Sequence, residues 1–336
     1  MTTRSLAEET IPPGEAALVE SLLQQFRSEA VANNQSGRMH RAAHAKLHGL
    51  VKAEFIVEAD LPPECRVGIF ANAHTYPAWI RFSNSDGTVR PDHAKDVRGM
   101  AIKLMGVAGD KLLANELTEQ TQDFILISAP VFISRGVRQF DALARALFGS
   151  LWAKLAYLLT HWRTLWLLIK LRKRFANPLQ IRYFSSTPYL FGQQAVKYAA
   201  TPLFEVADSI PDKPSDDYLR TALVTQLKAG EALFDFCVQF QTDARAMPIE
   251  DPRVEWSESA SPFRKLATIR ILQQDCDSPQ QRAFAENLSF TPWHALPEHR
   301  PLGGINRARK LIYEAMSSFR HGRNQTPRRE PVGWEV

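Results

Sequence analysis

Cysteine is scarce in this chain. Cys65, Cys237 and Cys276 are the only three in 336 residues, too few and too scattered for a disulfide framework or a thiolate metal site. Cys237 falls inside an alternating apolar run, where a thiol serves as a small buried hydrophobe. A reducing compartment is the expectation. The opening Met1-Thr2-Thr3-Arg4-Ser5 carries no apolar signal-peptide core, so the chain reads as cytoplasmic. No low-complexity linker divides it, and no repeat of solenoid length recurs. Nor is there a long uncharged hydrophobic run. The most apolar stretch, 147–175, is interrupted by Lys154, His161 and Arg163 and closed by Lys170, Arg172, Lys173 and Arg174, which excludes a membrane-spanning helix. Two readings of it stay open. Its leucines and tryptophans suit a helix hairpin packed on the body of the protein, and they equally suit an amphipathic helix in peripheral contact with a membrane.

What the chain does have is enough apolar material for a large core. Hydrophobic residues make up 45% of it, sufficient for one big domain or two ordinary ones. Period-two patterning is cleanest where Phe234, Phe236, Val238 and Phe240 alternate with Asp235, Cys237, Gln239 and Gln241. Further strands are expected at 50–59, 78–83, 99–105, 123–128 and 266–272, and helices near 14–33, 137–175 and 305–321. Strands and helices do not alternate regularly, which points to an α+β protein built on an antiparallel sheet or barrel with helices packed outside.

The last helix carries the chemistry. Ile305, Ala308, Ile312, Ala315, Met316 and Phe319 recur at three- and four-residue steps and define its apolar face. Arg309 precedes Tyr313 by one turn, so its guanidinium lies beside the phenol and favours the phenolate form. A tyrosinate is an uncommon ligand of haem iron.

Five blocks in order then carry a resemblance. Arg41-Ala42-Ala43-His44-Ala45-Lys46 runs into an alternating strand. Trp79-Ile80-Arg81-Phe82-Ser83, Asp96 to Lys103, and Gln122-Asp123-Phe124 through Pro130-Val131-Phe132 follow, and Arg309 to Tyr313 closes the series. Together they resemble the haem catalases. Thr187-Pro188-Tyr189, Ala195 to Tyr198 and Glu286 to Phe290 are similar to the short, single-domain catalase-related haem proteins. The similarity covers 36–323 as a haem domain, leaving 1–35 as a helical extension and 324–336 as a disordered tail rich in Arg, Pro and Gly.

The resemblance implies a catalase-like antiparallel β-barrel with a carboxy-terminal haem-ligand helix, and a haem cofactor, taken as haem b. It implies Tyr313 as axial iron ligand with Arg309 tuning it. Arg41, Arg81 and Arg320 become partners of the haem propionates, His44 the distal acid-base group, Ser83 the hydroxyl orienting it, and Phe132 and Phe140 the lining of the pocket. These roles account for arginines that a net charge of +5 and a pI near 9.1 would otherwise offer to nucleic acid, so no nucleic-acid partner is expected.

Departures from the catalase pattern bear on the reaction. Ser128 stands where the family usually has an asparagine that donates a hydrogen bond to peroxide. Losing such a donor typically costs two or more powers of ten in rate. Ala43 before the histidine, in place of valine, and Leu47, in place of glycine, leave a roomier and less polar pocket. The expectation is a catalase-like peroxidase with weak hydrogen peroxide dismutation, acting on hydrogen peroxide or an organic or lipid hydroperoxide. The alternatives are a fatty-acid hydroperoxide lyase, dehydratase or isomerase, and a non-catalytic haem- or lipid-binding protein. Whether the chain forms a homo-oligomer stays open.

Overall fold

The computed structural model describes residues 5–35, 37–203 and 209–335. Met1–Arg4, in the segment read for a signal peptide, and the domain-limit residues Ser36 and Val336 lie outside them. The strands are β1 (Leu47–Val57), β2 (Thr75–Asn84), β3 (Arg98–Met105), β4 (Thr121–Ile127), β5 (Tyr183–Phe184), β6 (Tyr189–Phe191), β7 (Gln194–Pro202), β8 (Ala232–Phe240) and β9 (Arg264–Ile271). Among the described residues these nine form one antiparallel sheet in the order β5-β4-β3-β2-β1-β9-β8-β7-β6. A further pairing of β5 with β7 closes eight of them into a barrel and leaves β6 beside β7 as an outer hairpin strand. This is the α+β antiparallel barrel the patterning predicts. Closure leaves the eight-stranded ring without a free edge.

Alternation fills the barrel. Phe234, Phe236, Val238 and Phe240 of β8 point inward, and Phe236 packs against Phe55 and Phe124 with ring centroids 5.0 and 4.9 Å apart. His299 is sealed among Phe70, Phe124 and Phe191. The barrel interior is therefore solid core, and a ligand site must lie on its outer wall.

Helices cover that wall: α1 (Glu15–Asn33), α2 (Val137–Phe148), α3 (Leu151–Thr160), α4 (Trp162–Leu171), α5 (Tyr218–Ala229), α6 (Pro279–Asn287) and α7 (Gly304–Asn324). A second core joins α1, α2 and α7 through Leu22, Leu23, Val137, Ala144, Ala308, Ile312 and Met316. The helical region expected at 137–175 is divided into three. Gly149 and Ser150 are extended, with the Ser150 hydroxyl capping α3 by accepting from Ala153 N at 3.3 Å, and His161 breaks the next turn.

The segment 324–336, expected to be a disordered tail, begins with Asn324 at the end of α7. To Glu335 it is a strap laid on the barrel. Trp79 Nε1 donates to Gly333 O and Trp334 Nε1 to Ala78 O, each at 3.0 Å. Lys103, fully buried on β3, is held by Asp123 at 2.7 Å and by Glu330 of the strap at 2.6 Å. Arg328 pairs with Glu116. A polar, proline-containing composition describes a segment that cannot form its own core, but the barrel offers this one a buried cation and an indole as partners.

Candidate active site

A cavity of about 370 Å³ opens between the outer face of β2–β4 and the helices α1, α2 and α7. His44, Ser83, Arg41, Arg81, Phe132, Phe140, Arg309, Tyr313 and Arg320 all line it. Residues separated by up to 279 positions in the chain are thus gathered on one surface. Ser128 is the exception and is not among the lining residues. Its hydroxyl faces β3, where it accepts a hydrogen bond from Arg98 N at 2.8 Å.

His44 lies just before β1, its amide bonded to Ser85 O at 3.1 Å. The Ser83 hydroxyl lies 3.0 Å from His44 Nδ1. Two-residue spacing on β2 puts Ser83 and Arg81 on the same face, and Arg81 Nη2 donates to the His44 carbonyl at 2.9 Å. The imidazole rests over Gly99 of β3: a Cβ there would stand 2.6 Å from His44 Nδ1 and 2.8 Å from Ser83 Oγ. Burial, reinforced by the Arg81 charge, pushes the His44 pKa down to about 4. The ring is therefore neutral at physiological pH.

Into the same cavity, α7 presents Arg309 and Tyr313 one turn apart, with Arg309 Nη2 donating to Tyr313 Oη at 3.1 Å. Burial works against the Arg309 charge, yet the phenols of Tyr313 and Tyr189 outweigh it and hold the guanidinium above its ordinary value.

At one end of the cavity three guanidiniums converge. Arg41 reaches Glu286 at 3.2 Å, and Arg81 reaches the same carboxylate at 3.6 Å. Arg320 donates to the carbonyls of Glu286 and Leu288. Burial and mutual repulsion push Arg81 and Arg320 each down to about 9. One carboxylate against three cations leaves an excess of two positive charges, and Arg81 Nε is buried without a partner. Such a cluster calls for a dianion. The two propionates of a haem have that charge, and the apolar walls formed by Val97, Met100, Ile125, Leu126, Ile312 and Met316 suit its macrocycle. The residues present fit the group: Arg41, Arg81 and Arg320 would hold the propionates, Tyr313 the iron.

Sequence reasoning passed over two contributors. Glu286, within a block singled out for its resemblance, has its carboxyl held below its ordinary value by Arg41, Arg81 and Arg320 although burial opposes this. Phe26 of α1 lines the cavity from the segment set aside as an extension. Its only sequence signal is the apolar spacing of α1.

No protein-family model and no curated protein matches the chain. Solved structures do. A fungal catalase superposes with a TM-score of 0.68 at 16% sequence identity, over 96% of this chain and 66% of its own. Catalase A from Saccharomyces cerevisiae gives the same TM-score and identity over 95% of this chain and 67% of its own. The chain thus spans about two thirds of the length of these relatives, and the fold it shares with them is that of a catalase.

Proposed function

We propose that this protein is a haem enzyme that activates peroxides, in which Tyr313 would bind the iron and His44 would be the acid-base catalyst. The observation that carries it is the placement in one cavity of a neutral imidazole, an arginine-bonded phenol and an arginine cluster short of two negative charges. A haem held there supplies the redox chemistry that cleaves the O–O bond. The chain's own residues do the rest. With Nδ1–H donating to Ser83, His44 Nε2 is free to take a proton from an entering peroxide and return it to the departing oxygen. Gly99 gives the ring room, and Arg81 fixes the backbone beneath it. Arg309 holds the Tyr313 oxygen as an acceptor toward iron.

Ser128 supports the narrower reading of a peroxidase with weak hydrogen peroxide dismutation. Its hydroxyl is engaged with Arg98 N, so no amide donor meets the peroxide from that position. A second reading, conversion of fatty-acid hydroperoxides, draws support from the apolar wall of Phe26, Val131, Phe132, Ile133, Phe140 and Leu171, which would accept an acyl chain.

The test is to load the protein with haem and compare initial rates of loss of hydrogen peroxide and of a fatty-acid hydroperoxide. We expect Tyr313→Phe to lose the tyrosinate charge-transfer absorption, and His44→Ala to lower the preferred rate by about 10²- to 10⁴-fold. Rapid oxygen release from hydrogen peroxide would replace the peroxidase reading with that of a true catalase. A His44→Ala variant as active as the parent would leave a haem carrier.

A further inference from the structure

The helices α3 and α4 are set on the molecule in an unusual way. No described residue of α3 is buried, and α4 buries only Thr164 and Leu171. Leu151, Trp152, Leu155, Leu159, Trp162, Trp166 and Ile169 are instead between 44 and 81% exposed. Nine of the seventeen exposed large hydrophobics among the described residues fall within 147–169, so this is one patch and not scatter.

Charge says what the patch faces. No aspartate or glutamate occurs between Asp141 and Glu205, while Lys154, Arg163, Lys170, Arg172, Lys173 and Arg174 all fall in that interval. Among the described residues none of these six makes an ion pair. Lys170 and Arg163 lie against the indoles of Trp166 and Trp162, at 5.0 and 5.3 Å from the ring centroids. Tryptophans with cations beside them, leucines between them and no acid in the same stretch of sequence match an anionic bilayer surface, whose headgroups take the charges and whose outer acyl region takes the rings. Spanning is excluded, because ten-residue helices are about 15 Å long against about 30 Å of hydrocarbon.

We propose that α3 and α4 dock the protein, lying flat, on an anionic phospholipid surface. The inner side of α4 ties that docking to the cavity. Leu171 lines the cavity directly, and Leu167 packs in the cluster of Val97, Ala129 and Val131 behind it. Docking therefore sets one wall of the cavity against the bilayer. Basic residues in this number give an attraction that salt weakens.

The experiment is flotation of the haem-loaded full chain with vesicles of phosphatidylcholine alone and of phosphatidylcholine mixed with phosphatidylglycerol. The parent is compared with the triple variant Trp152→Ser, Trp162→Ser, Trp166→Ser, and sedimentation gives the mass of each in the absence of lipid. We expect the parent to float with the anionic vesicles and to be released by salt, and the variant to bind at least about tenfold more weakly. None of the three tryptophans lines the cavity, so hydrogen peroxide turnover in the variant stays that of the parent. Three outcomes overturn the proposal: no flotation of the parent with anionic vesicles, equal flotation of the variant, or a parent dimer that the variant abolishes, which would assign the face to a second copy. Flotation is read without turnover, so its failure leaves the peroxide reading standing.

Discussion

His44 adopts a left-handed backbone with φ of 58°, a conformation that non-glycine residues enter only when their surroundings require it. Here the requirement is visible: Ser85 O receives its amide, Arg81 grips its carbonyl, and Gly99 leaves a space into which the ring fits. The same enclosure removes water from the imidazole, which is why burial dominates its depressed pKa. A solvated histidine would lose its base form near pH 6.5, whereas His44 keeps it down to about pH 4. The acid limb of kcat/KM for peroxide loss is therefore expected near pH 4, measured as initial rates after a jump from neutral pH. A limb centred on about 6.5 would show an imidazole in contact with water and sink this account.

Elements were most legible in the sequence where one of their faces met water. β1, β8 and β9 alternate over part of their length, and α1 and α7 carry apolar stripes, so their positions follow from period. β2, β3 and β4 are buried on both faces over most of their length and were marked by short apolar runs and matching blocks instead. β7 is buried on both faces from Ala195 to Ala200 and shows no alternation to read. α6, Pro-Gln-Gln-Arg-Ala-Phe-Ala-Glu-Asn, buries just Gln281 and Ala285 and has almost no apolar stripe. At the site, Tyr313, Arg309 and His44 were legible because spacing or a matching block marked them. The inward turn of Ser128 toward Arg98 N was not, since a serine fits either side of a strand end. Least legible was the strap, whose order depends on Lys103 and Trp79 more than 220 residues earlier. Deleting 327–336 would leave Lys103 with one counter-charge and expose the Trp79 indole. Because Asp123 still neutralises Lys103, the loss is that of one hydrogen bond to a charged group, about 1.5–3 kcal/mol. We expect a loss of that order in urea unfolding of the truncated chain; a midpoint unchanged from the parent would mean the strap rests on the barrel without stabilising it.

At the scale of the whole molecule, the barrel and its helices enclose more imidazole than they can keep charged. Burial lowers the pKa of His44 to about 4 and of His299 to about 3, and it lowers those of His48, His294 and His321 as well. For each group the folded value lies below the unfolded one, so the unfolded chain binds the proton first. Stability is then complete above about pH 6.5 and is lost as pH falls toward the folded value. Each histidine costs about 1.4 kcal/mol per pH unit across its window, so His44 and His299 together remove about 2.7 kcal/mol per unit between about pH 5.5 and about pH 4. Asp92, raised by burial, opposes this; Glu286, held low by its arginines, adds to it below about pH 4.5. The histidines outnumber these carboxylates and titrate earlier, so the net direction is loss. Urea midpoints should therefore fall steeply from about pH 6.5 to about pH 4, with more than one proton taken up on unfolding. Because His299 is sealed by Phe70, Phe124 and Phe191, His299→Gln should flatten that slope without touching the cavity. A slope equal to the parent's would place the acid sensitivity outside the barrel core.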